Sequence, residues 1–437
     1  MLRLGNFLAN GWRQLAGRSH QSADSGRSPL PRSRRRRLTA HTRACLLWGL
    51  AFFAAAHLGM LVATQSFWPH LRDPEFGYKL SALRRQRAED PNRPLLVLLG
   101  SSRTGQGIRP GVLPELRTLD GRIPLVFNFS QVGSGPLAEL VTLCRLLDAG
   151  IRPDWLAIEI LPALLGRTVD AFGDVGTGIS RLSWKDVILL NHYVRDPQTM
   201  RHRWYKDQLY PWYAQRFSVM NHYASNCVPW RLRLDHWKQL DRWGWSDIGQ
   251  DNQPLVLNPT ALEVTRTTYY VDLQTLHISS MQDHALHDLI ALCRREGIPL
   301  LFYLMPEGTI FRGWYAPAVS VRINDYLTHL SRECNVPIVD LRTWMEDKYF
   351  GDSHHLYRQG ATLFTRRFGP EVLACLVQGK LTSLPSLMTP FSTPYPEEPP
   401  DSGARPQVKT RPVHPLSPTL SIHRGQEPGE RSSPAAK

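Results

Sequence analysis

Five short apolar runs decide what this chain can fold into. Pro94 to Leu99, Pro124 to Phe129, Trp155 to Ile160, Ile298 to Leu304 and Val336 to Leu341 are too short to be read as helices. Such runs read as strands buried on both faces, the condition of a parallel sheet. Between them helical patterns recur near Gly135 to Ala149, Ser280 to Glu296 and Ala318 to Cys334, and a closing one follows near Gly360 to Leu376. Strands alternating with helices predict an α/β fold: a three-layer α/β/α sandwich around a central, mostly parallel five-stranded sheet. Ligands of such sheets bind beyond the carboxyl ends of the strands.

Around this domain, expected at residues 93–378, the chain changes character. Residues 1–43 are polar and end in an arginine block, Arg32-Ser33-Arg34-Arg35-Arg36-Arg37, which reads as disordered in isolation. The 21 residues from Ala44 to Thr64 carry no formal charge apart from His57. That length crosses a hydrocarbon core of ~30 Å at about 1.5 Å per residue, so a membrane helix is expected at 44–66. A cleaved signal peptide fits less well, because the basic region is long and no small-residue cleavage pattern follows. A buried core helix is the other alternative. Arginine on the amino side predicts a cytoplasmic N-terminus and an exported domain, periplasmic or extracellular, on the inner (cytoplasmic) membrane. Residues 67–92, broken by Pro69, Pro74 and Pro91, read as a charged stalk with a helical turn or two near Leu80 to Ala88. An insertion of helices and loops is expected at about 166–275, where Trp204, Trp212, Trp230, Trp237, Trp243 and Trp245 cluster. These tryptophans suit either core packing or stacking on sugar rings. The last 56 residues hold 12 of the 34 prolines, and residues 379–437 read as a disordered tail.

Charge excludes one function class. The net charge is +14, but residues 1–43 hold ten Arg and one Asp, leaving about +5 for the other 394 residues. A broad nucleic-acid-binding face is therefore not expected. The six cysteines form no Cys-x-x-Cys pair, so no metal site is indicated, and sequence alone does not pair them as disulfides.

Two stretches carry chemistry. The first apolar run leads directly into Gly100-Ser101-Ser102-Arg103, and Gly351-Asp352-Ser353-His354-His355-Leu356 precedes the last helix. A serine hydroxyl becomes a nucleophile when an imidazole takes its proton, a carboxylate orients that imidazole and N–H groups hold the oxyanion. Ser102, His355 and Asp352 supply the first three, and Asn128-Phe129-Ser130-Gln131-Val132-Gly133 follows the second strand with a glycine that can approach the crevice. His354 is an alternative base with a different spacing to Asp352. Arg103 is read either as a ligand for an anionic substrate group or as a structural ion pair. Glu307 with Arg312, after the fourth strand, either shapes the cleft or forms a loop ion pair.

The order of these blocks resembles the SGNH, or GDSL, hydrolase superfamily, whose fold is flavodoxin-like. The resemblance implies Ser102 as nucleophile, His355 as general base, Asp352 as its orienter, and the Ser102 and Gly133 amides as oxyanion donors. Asn128, Arg103, Glu307 and Arg312 become candidate substrate-binding residues, and no cofactor is implied. Two positions depart from the family pattern. Ser101 stands where the family has Asp, and Leu161-Pro162-Ala163-Leu164 follows the third strand where the family has a Gly-x-Asn-Asp block. Gly-Ser-Ser on a membrane-anchored domain looks more like the divergent branch of the D-alanyl transfer protein and the alginate O-acetylation proteins. That branch implies acyl esters or glycans of the cell envelope as substrates, an esterase or O-acyltransferase activity, and a membrane acyltransferase as partner. The alternative expectation is a catalytically degenerate member that binds envelope polysaccharide or assembly proteins.

Overall fold

The computed structural model describes residues 32–168, 178–228, 240–246 and 255–380. Five strands, β1 (Leu95–Leu99), β2 (Leu125–Asn128), β3 (Trp155–Glu159), β4 (Leu300–Leu304) and β5 (Ile338–Asp340), form one sheet in the order β2-β1-β3-β4-β5. Every pairing is parallel, with Leu98 opposite Asn128 on one side and Ala157 on the other. The chain runs from β1 outward to β2 and then returns to the other side of β1 with β3. The gap between β1 and β3 is thus the switch point at which a doubly wound sheet opens its crevice.

The apolar runs are continuous because both faces of the sheet are covered. Leu95, Val97, Leu99, Phe127, Ile158, Phe302 and Ile338 point into one core, and Leu96, Leu98, Val126, Ala157, Leu301, Tyr303 and Val339 into the other. The first core is closed by α2 (Pro74–Glu89), α4 (Pro136–Asp148), α9 (Ser280–Glu296) and α10 (Pro317–Glu333), the second by α11 (Arg358–Phe368). Local chemistry sets their ends. Pro136 and Pro317 occupy the first turns of α4 and α10, where the missing N–H goes unneeded, and Gly297, with φ +64°, ends α9 in the left-handed conformation.

Residues 74–89 correct the expected stalk. They form a 16-residue helix, capped by Asp73 and started by Pro74, whose Phe76, Leu80 and Leu83 lie in the first core. Pro74 starts this helix rather than breaking it, because Pro is favoured at the first helical turn, where its missing N–H goes unneeded. At the N-terminus, α1 (Arg32–Val62) is helical from within the arginine block, twelve residues earlier than the expected membrane segment. Within it and the turn that follows, Ala40–Phe67 is one 28-residue helical stretch long and apolar enough to cross a membrane. The expected insertion of helices and loops includes α5 (Trp184–Leu190), α6 (Pro197–Gln208), α7 (Arg216–Tyr223) and α8 (Pro259–Thr275), with a turn closed by a bridge between Leu240 and Ser246. Trp204 and Trp245 are buried and Trp212 is exposed, whereas Trp230 and Trp237, residues 1–31 and all of the expected tail beyond residue 380 fall outside the described residues. All six cysteines are free.

Candidate active site

At the end of β1 the chain turns sharply into α3 (Ser102–Gly107). Gly100 permits this turn because a Cβ there would sit 2.7 Å from both Glu159 Cβ and Oε2. Glu159, the last residue of β3, gathers the turn. Its Oε2 accepts from the Ser101 amide (2.9 Å), the Ser101 hydroxyl (2.9 Å) and the Thr104 hydroxyl (2.7 Å). Ser101 Oγ in turn accepts from the Arg103 amide, capping α3. The serine pair therefore divides its work: Ser101 is buried and binds the fold, while Ser102 is half-buried and opens the helix. As the first residue of α3, Ser102 has an N–H with no intrahelical acceptor.

The loop Phe350 to Leu356 brings the other two groups to Ser102. It is pinched shut by a bridge between Phe350 and Leu356 and by the Gly351 amide donating to His355 O. Ser353 adopts φ +62°, a left-handed conformation that costs a residue with a side chain roughly 1–3 kcal/mol. Its hydroxyl accepts from the Phe311 amide at 3.1 Å and its carbonyl from the Gly308 amide at 2.9 Å, which hold the turn. The sharp turn aims the amides of His354 (3.0 Å) and His355 (2.6 Å) at Asp352 Oδ1. Asp352 Oδ2 accepts from His355 Nδ1 at 2.8 Å and from the Thr265 hydroxyl at 2.9 Å. A carboxylate only accepts, so Nδ1 carries the proton and Nε2 is left as the acceptor facing Ser102 Oγ at 2.8 Å. Burial by itself raises the Asp352 pKa, but the His355 ring and its hydrogen bonds outweigh burial and hold the carboxyl well below its ordinary range. Asp352 is thus a fixed anion behind the imidazole.

The other expected site residues divide differently. Gly133 sits in the turn after β2 with φ +70°, and that loop is tied to the first block by the Gln131 amide donating to Gly100 O at 2.8 Å. Asn128 is fully buried and spends its side chain on the scaffold, donating to Thr104 O (2.9 Å) and Ile108 O (2.8 Å) and accepting from the Ser130 amide (3.2 Å). Arg103 is 1% exposed and Glu307 0% exposed, and they face each other at 3.2 Å. Arg103 also donates to the carbonyls of Met305 (2.7 Å) and Pro306 (2.8 Å), and Glu307 accepts from Tyr315 OH (2.9 Å). Arg312 does not pair with the Glu307 carboxylate; it donates to the backbone carbonyls of Glu307 and Arg342. These placements correct the expectation that Asn128, Arg103 and Glu307 bind substrate. A buried charge must find an internal partner, and Arg103 finds one on the β4 loop.

His354 is also buried. Its ring lies between Tyr269 (4.7 Å) and Phe311 (4.6 Å), neither ring nitrogen has a hydrogen-bond partner, and burial keeps its pKa well below the ordinary value.

Three contributors escaped the sequence reading. Glu159 was legible as a carboxylate at the end of an apolar strand, a position that demands partners. Thr265 lies in the insertion, 87 positions from Asp352, with no local signal. The third is α2. Glu75 Oε1 accepts from the Val132 amide at 2.9 Å, and Lys79 Nζ donates to Ser130 O at 2.5 Å, so one helix face grips the loop that leads to Gly133. The chain matches no protein-family model, and no curated protein matches it in sequence.

Proposed function

We propose that this chain is a serine-dependent acyl esterase or O-acyltransferase of the SGNH type, held at the membrane by α1 and acting on acyl esters of cell-envelope glycans. The observation that carries this reading is the relay Ser102 Oγ, His355 Nε2, His355 Nδ1, Asp352 Oδ2, with 2.8 Å at each hydrogen bond. Its location at the β1/β3 switch point agrees with where such sheets bind ligands.

In this mechanism His355 Nε2 takes the Ser102 proton as Oγ bonds to the acyl carbon. The amides of Ser102 and Gly133 hold the oxyanion. Collapse breaks the ester C–O bond, and the departing alcohol takes the proton from His355. Water, or a glycan hydroxyl, then gives its proton to His355 as its oxygen bonds to the acyl carbon; the bond between that carbon and Oγ breaks, and Ser102 Oγ takes the proton back from His355. Asp352 stays ionised throughout and stabilises the imidazolium. Water as acceptor makes an esterase, and a glycan hydroxyl makes a transferase. The arginine block ahead of the apolar stretch supports a cytoplasmic N-terminus, placing the domain on the opposite side, and a membrane acyltransferase is the partner this arrangement suits.

A fluorophosphonate probe should label the wild-type protein at Ser102 and leave Ser102→Ala unlabelled, and aryl acetate hydrolysis should fall in parallel. Absence of labelling in folded protein, with equal aryl acetate rates for the two, would instead favour the second reading, a degenerate binding or assembly protein. The observation behind that alternative is the apolar Leu161-Pro162-Ala163-Leu164 after β3, which offers no side-chain oxyanion donor and is buried. Loss of one such donor typically costs about 2.7–4 kcal/mol of transition-state stabilisation.

A further inference from the structure

The exit of the apolar helix is marked by a small polar network. Gln65 Nε2 donates to Gln208 Oε1 at 3.1 Å, and Arg72 Nη1 donates to Gln65 Oε1 at 3.0 Å and to Gln65 O at 3.3 Å. The uncharged residues from Ala44 to Thr64 use up a hydrocarbon thickness of ~30 Å. Gln65 therefore stands at the level where hydrocarbon gives way to headgroups, and Gln208 is held at that level beside it.

The residues that follow Gln208 are unlike an ordinary water-facing surface. Leu209 is 64% exposed, Tyr210 62%, Trp212 50% and Tyr213 68%, and the one-turn helix Pro211–Ala214 packs beside α1. Phe67 and Trp68, at the exit of the apolar stretch itself, are 71% and 47% exposed. Large apolar side chains crowded at one place on a surface mark an interaction site. The composition selects the partner: Trp and Tyr, with an apolar body and a polar tip, concentrate where acyl chains meet headgroups. Charge agrees, because Arg201, Arg203 and Lys206 are exposed on the adjoining α6 and Arg216 stacks over Tyr213 at 3.7 Å. Cations beside an aromatic patch suit lipid phosphates.

We propose that residues 209–213, beside Phe67 and Trp68 at the end of the span, form a second membrane contact, an aromatic platform seated in the lipid headgroup region next to α1. The platform holds the domain against the bilayer at two places. The inference rests on reading α1 as a membrane span, and is independent of what Ser102 does.

The test uses the full-length protein in nanodiscs of phosphatidylcholine and phosphatidylglycerol that contain a phospholipid with a diazirine near its glycerol backbone. After illumination, peptides are mapped by mass spectrometry. Adducts are expected both within residues 44–68 and within 205–216. In L209S/Y210S/W212S/Y213S the second set should fall to background while the first persists, and the milder W212A should reduce it. Adducts confined to 44–68 in the wild-type protein would overturn the platform and leave the span standing. Adducts on neither segment would overturn the span, and the platform with it. Protection of 209–213 from hydroxyl radicals in native membranes without lipid adducts would assign the patch to a protein partner, which also overturns the proposal.

Discussion

Thr265, on helix α8, donates its hydroxyl proton to Asp352 Oδ2 at 2.9 Å, so the insertion reaches the carboxylate that orients His355. Asp352 then accepts four hydrogen bonds, two at each oxygen. Hydrogen bonds to charged groups contribute about 1.5–3 kcal/mol, so Thr265→Val should lower kcat/KM on an aryl acetate by roughly 10- to 100-fold. Thr265→Ser should recover most of the loss. Asp352→Asn should be worse, by about 10⁴, because it reverses the imidazole tautomer. An unchanged rate in Thr265→Val would show that Asp352 needs no support from the insertion.

The two adjacent histidines should separate cleanly. His354 has two buried, unpartnered ring nitrogens between aromatic rings, so His354→Phe removes an unsatisfied polar group from an apolar site. That variant should unfold at equal or higher denaturant concentration than wild type and keep labelling at Ser102. His355→Ala should remain folded and lose labelling. Retained labelling in His355→Ala with loss in His354→Phe would reverse the assignment of the base.

Glu75 and Lys79 make a stability prediction with a definite sign. Burial pushes Glu75 up to about 7 and Lys79 down to about 8, and each partner's charge offsets part of the shift. Between the ordinary carboxyl value and about 7, folded Glu75 holds a proton that the unfolded chain has released. Stability from this group therefore falls as pH rises through that window. Between about 8 and the ordinary lysine value the unfolded chain holds the extra proton, so stability rises with pH. Relative to E75Q/K79M, wild-type protein should show both slopes in urea unfolding across pH 4.5 to 10.5. Each single variant removes an opposite charge that acts on the other buried group and should lower stability, with the double variant costing less than the sum.

Arg103→Met should act on folding rather than on substrate affinity. The guanidinium ties α3 to the β4 loop through Glu307 and two carbonyls, and its removal strands a buried carboxylate. A loss of about 3–5 kcal/mol in chemical denaturation is expected. R103M/E307Q should regain part of it. A raised KM with unchanged stability would return Arg103 to the role of a substrate ligand.

Much of this architecture was legible in the sequence. Runs such as Leu95 to Leu99 are apolar at every position because both faces of a parallel strand are buried, and that requirement leaves its mark residue by residue. The blocks of candidate chemistry were legible for a local reason of their own: Asp352 and His355 are near neighbours in sequence, and Ser102 follows a strand end. Tertiary structure alone decided what the polar residues do. Arg103, Asn128 and Glu307 read as ligands because each stands at or just past a strand's carboxyl end, yet each is buried and consumed by partners up to 204 positions away. Their fates depend on which distant groups meet them as the sheet closes, and no local pattern encodes that. The same holds for Thr265 behind Asp352 and for Glu75 and Lys79 beneath the loop to Gly133. The sequence determined the sheet, its helices and the places where chemistry could stand; long-range packing decided which polar groups face the crevice and which hold it open.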